Sequence, residues 1–407
     1  MTERTNRRDF LGLGIAGLGT WMLGRGRTGL PGFGGEGPVG EKDRILVVLQ
    51  MSGGNDGLNT VVPHRDPEYR KLRKVLGLPS KEIHDLGDGF GLHPALGGCA
   101  ELVRGGRMAW IRGIGYPNPN RSHFKSMDIW HAADPTARDL RYGWLGRALD
   151  EIAAGTGPRA DLGVNLAAKV PLAMNGRRSK PISFLNPETY RYRGTEKETR
   201  AFSEMVAAAK TAGNPILARL RRTAGEAVDT SAEIRKAVAS YRTPVRYPQT
   251  PIGRSLRNVA ALIGGGIGSR VFYTYHNGFD THVNQPNRHG NLLRQLDQAL
   301  TAFQKDLERN GAADRVVLFG FSEFGRRARE NRSNGTDHGC AGTAFLLGTR
   351  VRGGLHGRYP SLTDLDKGDL RFTTDFRGVY ATLCGDWLGL DSRKVLGGTF
   401  ESLPLLG

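Results

Sequence analysis

Five largely apolar runs, each stopping at a glycine-rich or polar loop, constrain this chain more than any other feature. The first, "RILVVLQM" from Arg44, ends in "SGGNDG"; the others are Met108 to Ile114, Arg270 to His276, Arg315 to Phe321 and Thr343 to Gly348. A short run without polar alternation suits a strand buried on both faces. Between the runs the period changes: Leu292, Leu296, Leu300, Phe303 and Leu307 fall three or four apart and make one helical stripe. Strands alternating with such helices predict an α/β fold, a doubly wound, mostly parallel sheet with helices on both faces. In such sheets ligands collect at the carboxyl ends of the strands. With 407 residues and 38% hydrophobic content the chain can bury a full core.

Two segments depart from that pattern. Residues 155–250 are basic and proline-interrupted and then helix-forming, which predicts a mostly helical insertion or cap within a domain spanning 41–407. Residues 1–40 begin "NRRDFLGLGIAGLGTWMLG" from Asn6, with Arg7 and Arg8 ahead of Phe10 and Leu11, and continue as a Gly/Pro-rich linker. The apolar stretch is too short and too diluted for a membrane span. It reads as a twin-arginine signal, which predicts a periplasmic or extracellular protein, a partner in the twin-arginine export machinery and no stable transmembrane span after processing.

The net charge of +18 comes from arginines scattered along the whole chain. Without a basic run interleaved with aromatics, this predicts a surface that attracts anions and no specific nucleic-acid partner. Three distant cysteines, Cys99, Cys340 and Cys384, give neither a disulfide framework nor a zinc knuckle.

The chemistry-bearing residues fall just past the predicted strand ends. Asn55 and Asp56 follow the first run; Asp280 and His282 follow the run ending at His276; Glu323, Asp337 and His338 follow Phe321. Carboxylates and imidazoles gathered at one sheet edge suit a divalent ion such as zinc or manganese. Simpler roles exist for each: Asp56 bonding its glycine-rich turn, Asp280 capping a helix, Glu323 pairing with Arg326 or Arg327. After Ile114 the text "GYPNPNRSHFKSMDIW" places Ser122 where a loop becomes a helical pattern, a position for an anion-binding nucleophile or an ordinary N-cap. His123 and His131 carry no assigned chemistry.

Taken together, "SGGNDGLNTVVP", "NRSHF", "FDTH", "FSEFGRR" and "GTDHG" resemble the domain of unknown function 1501 family, within the alkaline phosphatase and sulfatase-like superfamily. The resemblance implies an alkaline-phosphatase-like sheet with one or two divalent ions (zinc, manganese or calcium). Asp56 and Glu323, with Asp337, would hold one; Asp280, His282 and His338 would hold the other. Ser122 would be the nucleophile, and Asn55, Asn120, Arg121 and Arg326 would contact a small anionic ester substrate. The expected function is exported, metal-dependent hydrolysis of phosphate or related esters; the alternative is a non-catalytic exported binding or assembly protein that keeps the fold. Formylglycine sulfatase chemistry needs Cys or Ser followed two residues later by Pro, and "SHFKS" lacks it.

Overall fold

The computed structural model describes residues 43–407 except 137, 157–159, 192–193 and 208–214. The expected signal and linker at 1–40 lie outside the described residues. Among those described, no helix is long and apolar enough to cross a membrane.

The central sheet runs, edge to edge, through Gly354–His356, Met108–Gly115, Gly342–Leu347, Val316–Phe321, Ile45–Ser52, Val271–Asn277, Gly163–Asn165 and Ile182–Ser183. A further short strand, Thr374–Asp375, also pairs with Met108–Gly115. The strand Ile45–Ser52 sits at the middle and pairs in parallel with both neighbours. Its odd residues, Ile45, Val47, Leu49 and Met51, enter one core, and Leu46 and Val48 enter the other. This is the two-residue alternation of a strand covered on both sides, so the absence of polar alternation in the sequence has its physical cause here.

On the first face, Leu293, Leu296, Leu300, Phe303 and Leu307 of helix Gln285–Arg309 pack beside helix Pro251–Gly264. The second helix starts at Thr250, whose side chain caps Gly253 N–H, with Pro251 in the first turn, where its missing N–H is no loss. On the other face, Trp130, Trp144, Phe376 and Tyr380 build an aromatic core against Phe319 and Phe321.

Two expectations need correction. The run after Thr343, read as one more member of the parallel set, runs antiparallel to both its neighbours. A parallel return needs a crossover of a dozen or more residues. Residues 322–341 make no such crossover; they fold on themselves through an antiparallel bridge between Arg326 and His338 and re-enter the sheet at the edge they left. The whole loop therefore lies over the carboxyl edge. In the second correction, the 155–250 segment is more than a helical cap, because Gly163–Asn165 and Ile182–Ser183 extend the sheet in parallel beyond Val271–Asn277. Strands this short, set among prolines and cations, carry no readable period. The helical part follows as Glu196–Ala207 and Pro215–Ser240, and Ile234, Ala237 and Val238 anchor it to the first core.

That segment is also tied down by a buried carboxylate. Asp306 accepts from Tyr241 Oη (2.9 Å), Tyr247 Oη (2.8 Å) and Thr243 Oγ1 (2.5 Å). Burial and the facing carboxylate push the Tyr247 hydroxyl well above its usual pKa, keeping it a donor. Asp306→Ala orphans three hydroxyls and is expected to cost about 3 kcal/mol of stability by urea denaturation; a loss under about 0.5 kcal/mol would show that the hydroxyls find water instead.

Candidate metal centre

Beyond Ser52 the chain turns through Gly53 (φ 121°) and Gly54 (φ 75°). A Cβ at Gly53 would lie 2.3 Å from Asp280 N and one at Gly54 would lie 2.3 Å from the Phe324 ring, so the turn admits only glycine. The close approach brings the loop after Asn277 and the loop after Phe321 onto one spot. There Thr281 is buried and faces Gln285, which turns its neighbours Asp280 and His282 outward together.

Four side chains converge at this spot. Asp280 Oδ1 lies 3.0 Å from His282 Nε2 and 3.2 Å from His338 Nε2. The two imidazole Nε2 atoms are 2.9 Å apart, and His123 Nε2 is 3.5 Å from Asp280 Oδ2. Atoms bound to one ion at about 2.0–2.1 Å, with angles between square and tetrahedral, stand roughly 2.9–3.4 Å from one another. The spacings among Asp280, His282 and His338 match edges of such a polyhedron, and the His123 spacing is slightly longer. His123, Asp280 and His338 form a group of donor atoms all within 4.8 Å of one another.

Each ring is held from behind by an oxygen. His123 Nδ1 faces Glu323 Oε1 at 2.8 Å, His338 Nδ1 faces the Arg121 carbonyl at 2.8 Å, and His282 Nδ1 faces Asp337 Oδ1 at 3.4 Å. An oxygen acceptor at Nδ1 places the proton there and leaves the Nε2 lone pair for the common point, the arrangement that metal-binding histidines use. Glu323 is itself fixed: Oε1 accepts from Gly53 N–H (2.9 Å) and Oε2 lies 3.0 Å from the Ser322 hydroxyl. Its hydrogen bond raises the pKa of His123, while burial lowers that of His338. Burial would also raise Asp280, but the bonded Arg326 guanidinium outweighs it and holds the carboxyl at about 2.

The sequence-predicted residues thus divide. Asp280, His282 and His338 lie side by side. Asp56 does not join them: its carboxylate is 1% exposed and forms a two-pronged ion pair with Arg73 (2.6 and 3.1 Å), with the Gln285 amide as a further donor. A cation there would have to displace a guanidinium. Glu323 and Asp337 stand behind imidazoles, so the three carboxylates assigned to another ion never assemble. Asn55 is also buried; its side chain is used by Thr60 and by His289 Nε2 (2.9 Å), away from any substrate.

Arg326, expected to face an oxyanion, is 1% exposed. It donates to the carbonyls of Gly53, Gly54 (2.6 Å), Phe279 (3.1 Å) and Thr336 (2.8 Å) and to Asp280 Oδ1 (2.7 Å). It is a clamp that joins three loops and orients Asp280, with Nε, Nη1 and Nη2 all engaged inside the protein. Asn120 accepts Ser122 N–H on its side-chain oxygen (2.8 Å) and shapes the turn. Arg121 keeps a 40% exposed side chain and pairs with buried Asp369. Ser122 is exposed at the N-cap of helix His123–Ala132, yet its hydroxyl makes no capping bond.

His123 is the member of the cluster that reading the sequence missed. It occupies the first turn after a strand-end loop, beside Ser122, and that position was the available signal. Asp369 and Arg73 carried none, since their partners lie 248 and 17 residues away. Glu323→Gln keeps the shape while weakening the acceptor for His123, and is expected to lower divalent-ion affinity by about 10–100-fold without changing the melting temperature much. Titration with a competing chelator measures it; unchanged affinity would remove Glu323 from the site.

Comparisons with known proteins bear on the fold and the family. No curated protein matches the chain. Similar solved structures include a protein of the alkaline phosphatase superfamily from Vibrio parahaemolyticus, at 8% identity and TM-score 0.35, covering 87% of this chain and 69% of that one. They include the lipoteichoic acid synthase LtaP from Listeria monocytogenes, at 10% and 0.37, covering 88% and 75%. The PsFucS1 sulfatase from Pseudoalteromonas sp. is similar at 9% and 0.39, covering 89% and 70%. At these scores the fold class rests on the sheet itself. The family described as "Protein of unknown function (DUF1501)" matches residues 108–399, which takes in Ser122, His123, Asp280, His282, Glu323 and His338, and the chain belongs to that family.

Proposed function

We propose that this protein is an exported, metal-dependent hydrolase of phosphate or related esters. One observation carries the reading: Asp280 gathers His123, His282 and His338 around its carboxylate, with every Nδ1 facing an oxygen. His123, Asp280, His282 and His338 would hold one divalent ion. Three imidazoles favour zinc, then manganese, and disfavour calcium, which takes six to eight oxygens. When bound, such an ion stabilises charge developing on ester oxygens and lowers the pKa of a nearby hydroxyl.

The chain's own groups do the rest. Ser122 Oγ, exposed at a helix N-terminus and next to a ligand in the chain, attacks the phosphorus in line. An O–P bond forms, the alkoxide leaves opposite, the hydroxyl proton passes to water, and a second water later releases the phosphoryl group. The part-exposed Arg121 guanidinium, held by Asp369, faces the equatorial oxygens. Asn120 holds Ser122 N–H and so orients the nucleophile's backbone. Export by the twin-arginine route, from "RRDFL" at Arg7, would let the metal be loaded before translocation.

A second reading has its own observation. Arg326 already compensates Asp280 at 2.7 Å, which suits a binding or assembly protein that needs no turnover. Aryl phosphate, diester and sulfate assays on metal-loaded protein separate the two. Ser122→Ala is expected to lose on the order of 10³-fold in kcat while keeping its ion. Metal retained with no turnover on any of these esters would leave only the second reading.

A further inference from the structure

Next to the imidazole cluster, and sharing His123 and Glu323 with it, lies a cleft of about 1300 Å³. A drug-sized ligand fills roughly 300–1000 Å³, so this space suits a more extended molecule. Helix His123–Ala132 forms one wall; residues 166–172, 185–188 and 247–258 form the other. The second wall begins in the segment that adds two strands to the sheet edge, which gives that extension a use.

The rim is apolar in an unusual way. Phe124, Leu185 and Val170 line the cleft and are 85%, 75% and 38% exposed. Packing does not account for large apolar side chains left this far in water around one concavity; such clusters mark ligand sites. Phe124 and His123 both belong to the first turn of that helix and both line the cleft. Lys169, Arg254 and Arg257 line the same cleft, as do Asp128 and Glu188. Cations beside an apolar strip that opens from a cluster of imidazoles suit one molecule with an anionic head and an apolar chain.

We propose that the cleft seats the non-reacting part of the substrate and that this part is an alkyl chain, making the substrate class amphiphilic anionic esters. This rests on the hydrolase reading above for its head group, but the chain site is testable without turnover. The occupant is a single amphiphile, its head at the imidazoles and its chain across Phe124, Leu185 and Val170.

Butylphosphonate and decylphosphonate, which cannot be hydrolysed, are titrated calorimetrically into the full-length metal-loaded protein below the micelle concentration. Each buried methylene tightens binding about fourfold, so the decyl compound is expected to bind at least 100-fold more tightly. Leu185→Ser and Val170→Ser, both at exposed positions, are expected to shrink that ratio by about tenfold. Equal affinities for the two chains would overturn the proposal, as would binding to anionic lipid vesicles without any chain-length gain. A chain-length gain with no ester turnover would sustain the cleft and sink the hydrolase reading; turnover of short esters without the gain would do the reverse.

Discussion

The His282→Ala/His338→Ala protein is expected to bind zinc or manganese at least on the order of a thousandfold more weakly than the unaltered chain, while folding normally. Two of four donors are removed, and each donor of a structural zinc site carries a large share of a binding free energy of about 10–16 kcal/mol. Folding should survive because both rings are partly exposed, 39% and 22%, and neither packs the core. Asp280 keeps Arg326 as its partner in the variant, so no buried charge is stranded. Competition against a chromophoric chelator measures the affinity. A variant that binds as tightly as the parent would mean that the ion sits elsewhere.

The second large effect is on stability. Arg73 and Asp56 are 0% and 1% exposed, so the pair is fully buried. Arg73→Ala leaves a carboxylate buried among Asn55, Gln285 and His289 and is expected to cost about 3–5 kcal/mol. The pH dependence has a definite sign. In the native chain burial raises the Asp56 pKa, but Arg73 outweighs it and the net shift is downward. The pair therefore stabilises the fold above the unfolded carboxyl pKa, and that contribution is lost as pH falls through the lowered value. Without Arg73 the folded pKa rises instead, so the penalty is full at neutral pH and is relieved on acidification. The stability gap between the two proteins should be widest near pH 7 and narrow toward pH 4. A gap independent of pH would mean that Asp56 stays ionised in the folded variant, its pKa not raised above the unfolded value.

Much of this architecture is legible in the amino-acid text. The runs Ile45–Ser52, Val271–Asn277 and Val316–Phe321 announce a sheet covered on both faces because burial on two sides removes polar alternation. The stripe through Leu296, Leu300, Phe303 and Leu307 announces the helix above it. Strand direction was not legible for Gly342–Leu347, since a strand reads alike in either sense and the compact 322–341 loop has no periodic signal.

At the site, the type of chemistry was legible and the assignment of roles was not. Asp56, Glu323 and Asp337 are all carboxylates near strand ends, yet one neutralises an arginine and two orient imidazoles. Which role each takes depends on partners 17 to 200 residues away: Arg73 for Asp56, His123 for Glu323, His282 for Asp337. Arg326 looked like a ligand for anions because its burial cannot be read locally. Its neighbours Phe324 and Gly325 pack against the glycine turn and Ala341, and draw it inward.

Anomalous diffraction from crystals grown with zinc, recorded on both sides of the zinc absorption edge, tests the central claim most directly. The convergence of donors predicts one strong peak per chain, within bonding distance of Nε2 of His123, His282 and His338 and of the Asp280 carboxylate. A peak at Asp56, or no ordered peak near these four side chains, would contradict it.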